Sequence, residues 1–387
     1  MGTTATLTPG MHGRQATAGG RWRFALVLGG GGMKGLAHIG ALRALEERGW
    51  VPDVIVGTSI GSLLGAAWAN GFAIAELADV ALSLERSDVF HVARRDIATR
   101  LIRAPALYRG SPLDALVRGF VGDLTFDELA RRLVVASVDL NSGMQVYWGL
   151  PGLRRVSVAD AVLASCALPG FFPPREVEGR FCVDGALADN LPVTLAATLG
   201  VDGVVAVDVG ASSVLRAETQ EEGFAAIFAR ATEIVFQQLL EVRLSRWAAP
   251  PLLLVQPRVE HVPMFSFEHT RELMDEGYRS TGAALDQAGD AVRGSASGIF
   301  PRRLIRVGVD RERCIGCGQC VARAPLGTFR MDDQGKAVGP AEPQEWSPVD
   351  GGFIRHCPTY AITARPALPA AGGPTSGGSR GTAPARA

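Results

Sequence analysis

Two clusters of residues in this 387-residue chain have types and spacings suited to chemistry. The first is Gly57-Thr58-Ser59-Ile60-Gly61, a serine with a glycine two positions to either side. An apolar run, Val54 to Val56, precedes it and helix-forming residues, Leu63 to Ala69, follow, so the stretch reads as strand, tight turn and helix. A serine at such an apex is held in a strained conformation, and the amides of the following helix face developing negative charge. That suits nucleophilic attack on an acyl group. The flanking glycines leave room for strand and helix to approach. The second cluster is Cys314-Ile315-Gly316-Cys317-Gly318-Gln319-Cys320, with Cys357 beyond it. Cys166 and Cys182 stand apart in apolar surroundings that suit core thiols. Crowding of four cysteines near one end suits metal ligation in a reducing compartment and argues against a disulfide framework.

The elements that must position Ser59 begin with the apolar strand Phe24 to Leu28, which runs directly into the glycines of 29–35. An amphipathic helix through Leu36, Ile39, Leu42 and Leu45 follows and is closed by Gly49. Strand, glycine loop, helix, strand and serine turn make a βαβ unit and an α/β fold. Further strands are expected at 133–140, 145–148, 180–183, 204–209 and 252–255, completing a mainly parallel sheet. Residues 74–132 read as mostly helical, as do 158–163, 225–247 and 270–285. Asp184-Gly185-Ala186 directly follows a strand. If that strand is parallel to the others, the glycine loop, Ser59 and Asp184 share the carboxyl edge of the sheet, where α/β proteins place their sites. The loop fits G-x-G-x-x-G, but the acidic residue a dinucleotide requires after the second strand is replaced by the serine turn. Gly30, Gly31, Gly32 and Gly35 therefore make better sense as an oxyanion hole whose backbone amides no Cβ covers. Lys34 is expected to be a solvated lysine at a helix start.

Composition bounds the partners. Hydrophobic residues make up 47%, and 39 basic residues balance 39 acidic ones, so nothing indicates a nucleic-acid partner. No apolar run is long enough to span a bilayer, and residues 1–20 lack the apolar core of a signal peptide. The expectation is a cytoplasmic protein with, at most, peripheral contact to a membrane surface.

The blocks Gly30–Gly35, Gly57–Gly61 and Asp184-Gly185-Ala186, in that order, resemble the patatin-like phospholipase family. Two further stretches strengthen the resemblance: Ser165-Cys166-Ala167-Leu168-Pro169-Gly170-Phe171-Phe172-Pro173-Pro174 and Asp189-Asn190-Leu191-Pro192. The resemblance covers about residues 22–290 and implies a three-layer fold and hydrolysis of acyl esters in phospholipids or lysophospholipids. It also implies a dyad, with Ser59 as nucleophile and Asp184 as the base that takes its proton. No histidine is then required. His261 and His269 fall in the order a Ser-Asp-His triad needs, but their flanks suit surface or capping roles, and His38 is expected to pack on the helix after the glycine loop. A histidine triad would lose activity near pH ~6.5 and a carboxylate dyad near pH ~4–5. Leu77, Leu82, Leu84, Val89, Phe90, Ile97, Leu101, Ile102 and Leu107 are candidates for an acyl-binding groove or for core. Arg94, Arg95, Arg100 and Arg103 are candidates to meet anionic headgroups or to form a solvated face.

The cysteine segment resembles a bacterial ferredoxin motif, C-x2-C-x2-C-x3-C-P, with Ala324 in the fourth place before Pro325. His356-Cys357-Pro358 is similar to the end of the second motif, whose other places are held by Ser347, Asp350 and Phe353. In the two-cluster fold, the fourth cysteine of each run ligates the other cluster. The resemblance thus implies one retained set, Cys314, Cys317, Cys320 and Cys357, holding one [4Fe–4S] cluster; zinc is the alternative for four thiolates. An electron donor or acceptor would be its partner.

The expected organisation is a disordered N-terminus over 1–20, an acyl hydrolase domain over 21–290 and a linker over 291–300. A small α+β ferredoxin-type domain over 301–365 and a disordered tail over 366–387 complete it. The alternative function is a redox-responsive or electron-transfer protein whose patatin-like part mainly binds lipid.

Overall fold

The computed structural model describes residues 21–93, 106–210 and 223–367. The expected disordered ends, Ile97, Leu101, Ile102 and the four arginines at 94, 95, 100 and 103 lie outside the described residues, wholly or, for the tail, beyond its first two positions.

The first half alternates strand and helix. Strand β1 (Phe24–Leu28) is followed by a 3-10 turn over Gly32–Leu36 and helix α1 (Ala37–Glu47). Strand β2 (Val54–Thr58) leads through Ser59 into α2 (Ile60–Ala69), and α3 (Ile74–Ser83) and α4 (Ser111–Val121) complete this part. The stretch expected to be mostly helical also holds two short paired strands, His91–Val92 and Tyr108–Arg109. Then come β3 (Leu133–Asp139), β4 (Gln145–Trp148), α5 (Val158–Ser165), β5 (Arg175–Val177), β6 (Arg180–Asp184) and β7 (Gly203–Val207). The long α6 (Gly223–Leu244), β8 (Leu252–Val255), α7 (Thr270–Gly294) and β9 (Ile299–Phe300) close the large sheet. Its nine strands run in the order β9-β8-β7-β1-β2-β3-β6-β5, with β4 also pairing β3. From β9 to β3 every pairing is parallel.

Alternation of side chains along β1 puts Leu26 and Leu28 into one core and Ala25 and Val27 into another, so both faces of the sheet are covered by helices. The larger core gathers α1, α2 and the apolar face of α7; the other holds Leu240 and Leu244 of α6. This is a mixed α/β fold with a large, mainly parallel sheet.

One direction differs from expectation. Strand β6 runs antiparallel to β3, so Asp184 does not reach the site from a parallel strand. Thr58 at the end of β2 stands opposite Ala136 of β3, and Asp184 at the end of β6 stands opposite the next residue, Ser137. Because β4 pairs with β3 over the residues that both partners use, β2 and β6 must lie together on the other edge. They abut there, tip to tip.

Beyond α7, the stretch expected as linker carries the last turn of that helix and the edge strand β9. A second, antiparallel sheet follows, with β10 (Arg303–Val309) between β11 (Gln344–Trp346) and β12 (Ile362–Pro366). The expected hairpin is present as Arg330–Met331 paired with Ala337–Val338. A small separate core of Phe329, Trp346, Phe353 and Ile362 packs with the buried cysteines of this region. Among the described residues no helix is long and apolar enough to cross a membrane.

Candidate active site

Ser59 adopts φ 52° and ψ −128°, a conformation that costs a non-glycine residue about 1–3 kcal/mol and that only a well-packed turn sustains. The packing is visible at its flanks. A Cβ on Gly57 would fall 2.5 Å from Ser62 Cα, and one on Gly61 would fall 2.2 Å from the Leu28 carbonyl oxygen. The Ser59 amide donates to Ser165 Oγ at 2.8 Å, and the Ser62 hydroxyl donates to the Ser59 carbonyl at 2.6 Å. The turn is therefore tied on both sides of the nucleophile candidate.

Ser59 and the Asp184 carboxyl group line the same small cavity. Burial raises that carboxyl to about 7, opposed by the Ala186 amide, which donates to Oδ1 at 2.9 Å, and by Ser59 itself. This changes the pH expectation. A base of this pKa titrates where a histidine would, so the acid limb cannot separate dyad from triad. Position does so. His261 and His269 both hydrogen-bond the Glu272 side chain on α7 and line a surface hollow that contains neither Ser59 nor Asp184. His38 is fully buried, and burial lowers its pKa to about 4. Its Nε2–H donates to the Gly29 carbonyl at 2.8 Å, bracing the glycine loop as a neutral ring.

Two cavities open on either side of Ser59. One is lined by Leu63, Leu77, Val80, Leu84, Phe90 and Phe120 among others, and among the described residues its only polar side chains are Ser59 and the Cys166 thiol. Of the groove candidates, Leu77, Leu84, Val89 and Phe90 line it, Leu82 is exposed, and Leu107 packs against the core. The other, smaller cavity joins Ser59 and Asp184 to Gly30, Gly31, Gly32, Ala186, Asn190 and Lys34.

The four loop glycines separate. Gly31 and Gly32 line the smaller cavity, and among the described residues neither amide meets an acceptor. Gly30 also lines it, but its amide is already donated to Asn190 Oδ1 at 3.0 Å. Gly35 stands elsewhere: a Cβ there would fall 2.1 Å from Ile60 Cγ2, so its role is to let the loop pack against the start of α2. Lys34 is not solvated. It is 1% exposed, and its ammonium pairs with Glu233 of α6 at 2.8 Å, which Arg230 also contacts. Asn190, Ser165 and Glu233 are the contacts that sequence reasoning missed. The first two stand inside blocks already singled out, whereas nothing near Glu233 marks it.

The cysteine segment gathers as expected in one respect. Cys314, Cys317, Cys320 and Cys357 all line one small cavity, with Cys317 exposed and the other three buried. Two sulfurs receive backbone amides, Ala337 N–H to Cys314 at 3.4 Å and Ala361 N–H to Cys357 at 3.2 Å. Among the described residues no three His, Cys, Asp or Glu side chains stand close enough to hold a metal ion. One tetrahedral zinc would require thiolates within about 2.3 Å of a single point, whereas a four-iron cluster carries one iron per thiolate and spans more space. Four thiols on one cavity are a donor type that both an iron–sulfur cluster and zinc accept.

Comparisons with known proteins find matches to two separate stretches of the chain. The patatin-like phospholipase family matches residues 26–197, and the 4Fe-4S single cluster domain matches residues 307–351, a span that ends before Cys357. An uncharacterized NTE family protein of Mycobacterium tuberculosis is 35% identical over 191 residues, covering 49% of this chain and 50% of its own length. Patatin-like phospholipase domain-containing protein 6 of Mus musculus is 29% identical over 246 residues, 62% of this chain and 17% of that one. The chain thus spans about half the length of the mycobacterial relative. The crystal structure of VipD from Legionella pneumophila superposes with a TM-score of 0.37 at 14% identity, over 71% of this chain and 67% of that one. Residues 26–197, which hold Ser59 at their strained turn and Asp184 in the same small cavity, match the patatin-like phospholipase family.

Proposed function

We propose that the chain hydrolyses acyl esters of phospholipids or lysophospholipids, with Ser59 as nucleophile and Asp184 as general base. The observation that carries this reading is a strained serine that lines both an apolar cavity and a smaller one shared with the buried carboxyl of Asp184. In the acylation step, Ser59 Oγ bonds to the ester carbonyl carbon while Asp184 takes its proton. The amides of Gly31, Gly32 and Ile60 hold the oxyanion, Ile60 being the residue after the nucleophile. Collapse breaks the bond to the alcohol, which receives the proton from Asp184. Water then attacks the acyl-enzyme carbonyl carbon while Asp184 again takes a proton; the bond to Ser59 Oγ breaks, Oγ receives that proton, and the fatty acid leaves. The apolar cavity holds the acyl chain, and a base near pH 7 is well matched to proton transfer at neutral pH. Release of fatty acid from vesicles by the wild type and its loss in Ser59→Ala test the assignment; retained turnover in that variant overturns it.

A second reading concerns the segment after 300 as a separate ferredoxin-type unit. Cys314, Cys317, Cys320 and Cys357 would hold one [4Fe–4S] cluster, which supplies one-electron chemistry when bound. The amides directed at two of the sulfurs favour thiolate ligands. Cys317, the exposed member, would face an electron donor or acceptor. All six cysteines are unpaired, which fits a reducing, cytoplasmic compartment. Four iron and four sulfide per chain after anaerobic purification, with broad visible absorbance, support this; stoichiometric zinc without iron overturns it.

A further inference from the structure

Asn190 makes an unusual pair of contacts. Its Oδ1 accepts the Gly30 N–H at 3.0 Å and its Nδ2 donates to the Gly30 carbonyl at 3.1 Å, so one side chain holds both backbone groups of one residue. Only one orientation of the amide satisfies both, because a backbone N–H can only donate and a carbonyl only accept. The side chain is 8% exposed and closely held. It follows directly from the short helix Ala186–Asp189 that begins after Asp184, and Asp189 beside it is anchored by the Leu191 amide and by Arg243 of α6. A Cβ on Gly210 would approach Asn190 Nδ2 to 3.0 Å, so the glycine there leaves the amide its place.

The consequence lies one peptide further on. The Gly30–Gly31 peptide is planar and trans, so its C=O and N–H point in opposite directions. Fixing the Gly30 carbonyl toward Asn190 directs the Gly31 N–H away from Asn190. Gly31, Asn190, Ser59 and Asp184 all line the same small cavity. Glycines at 29–32 would otherwise let this peptide rotate freely, since neither neighbour restricts φ and ψ. The clamp removes that freedom before substrate arrives, which is what electrostatic preorganisation requires.

We propose that Asn190 is the positioning residue of the oxyanion hole, clamping Gly30 so that the Gly31 amide faces the acyl carbonyl. The proposal rests on Ser59 acting as the nucleophile, so Ser59→Ala is assayed alongside. Asn190→Leu keeps the approximate shape and loses both hydrogen bonds; Asn190→Ala loses both shape and bonds. A positioning role predicts that the two lose kcat alike, about 10²–10³-fold as for loss of one oxyanion donor, with KM changed little. A packing role predicts that leucine restores activity.

Binding of a trifluoromethyl ketone, whose adduct with Ser59 carries an oxyanion, gives a readout besides turnover. Its affinity should fall in parallel with kcat/KM, while oleyl alcohol, which is uncharged and has no carbonyl oxygen to place, binds as in the wild type. Asn190→Asp serves where the apolar variants prove unstable. A protonated carboxyl can donate to the Gly30 carbonyl as Nδ2 does, whereas a carboxylate repels it. The ratio of variant to wild-type kcat should therefore fall as pH rises. Melting curves and circular dichroism on the full chain establish that each variant is folded. If Ser59→Ala is inactive yet Asn190→Leu turns over like the wild type, the positioning role is overturned. A flat ratio across pH for Asn190→Asp, with unchanged ketone affinity, overturns it too. If Ser59→Ala retains turnover, the hydrolase reading itself fails, and the clamp with it.

Discussion

Ser59 and Asp184 share one small cavity because the strands that deliver them end tip to tip on one edge of the strand Leu133–Asp139, with Thr58 opposite Ala136 and Asp184 opposite Ser137. Thr58, the residue before Ser59, and Asp184 thus pair with adjacent residues of one strand. A site built this way relies on the register of the sheet more than on any loop. That register is held by fully buried residues on both faces, among them Val56, Leu133 and Val134.

Removal of the serine hydroxyl should abolish hydrolysis without unfolding the chain. Ser59→Ala leaves the Ser59 backbone contacts to Ser165 and Ser62 available. Turnover should fall by at least about 10³-fold with the melting temperature nearly unchanged, checked by fatty-acid release and thermal denaturation.

Asp184 should set an acid limb near pH 7, since burial raises its pKa to about 7 and activity needs the carboxylate. The same shift has a stability cost. Below pH ~4 the group is protonated in both folded and unfolded chains. Between that pH and about 7 the unfolded chain releases the proton that the folded one retains, so stability is lost as pH rises and the loss is complete above about 7. Asp184→Asn should therefore be inactive and, above pH ~7, more stable by roughly 2–4 kcal/mol. Denaturant titrations of both proteins at pH ~4 and pH ~8 test this; an equal difference at the two pH values contradicts it.

Val80 is half-buried in the wall of the apolar cavity. Val80→Phe should shorten the space available to an acyl chain. Rates on long-chain substrates should fall about tenfold or more relative to short-chain ones, as expected when one or two methylenes lose their place. Competition between esters of increasing chain length measures the shift.

The Lys34–Glu233 pair joins the glycine loop to α6 in a nearly dry setting. Lys34→Met leaves Glu233 with Arg230 but without its buried partner, and should lower stability by about 3 kcal/mol. Combining it with Glu233→Leu should recover part of that loss. Chemical denaturation of both single variants and the double variant gives the coupling.

The same helix reaches the cysteine segment. Glu241 of α6 pairs with Arg355 at 2.7 Å, two residues before Cys357. Loss of the fourth thiolate in Cys357→Ser should loosen residues 352–366 and the last turns of α6, seen as faster amide hydrogen exchange there than in α1. Equal protection in wild type and variant would show that the segment is held without a bound cluster.

What could be read from the chain without its fold are the parts that depend on short spacing. Gly57 and Gly61 specify a serine turn because any Cβ at those positions meets closely packed backbone. The apolar runs of β1, β2, β3, β7 and β8 specify buried strands, and the spacing of the cysteines singles out the four that line one cavity. Other features depend on partners far apart in the chain. The antiparallel course of β6, the burial of Lys34 against Glu233, and the clamp of Asn190 on Gly30 have no local signature, because each is fixed by a partner that only the folded sheet brings near. Gly35 is the same lesson in reverse: its place in a G-x-G-x-x-G pattern suggested an amide for an oxyanion, while the fold uses its missing side chain to seat Ile60.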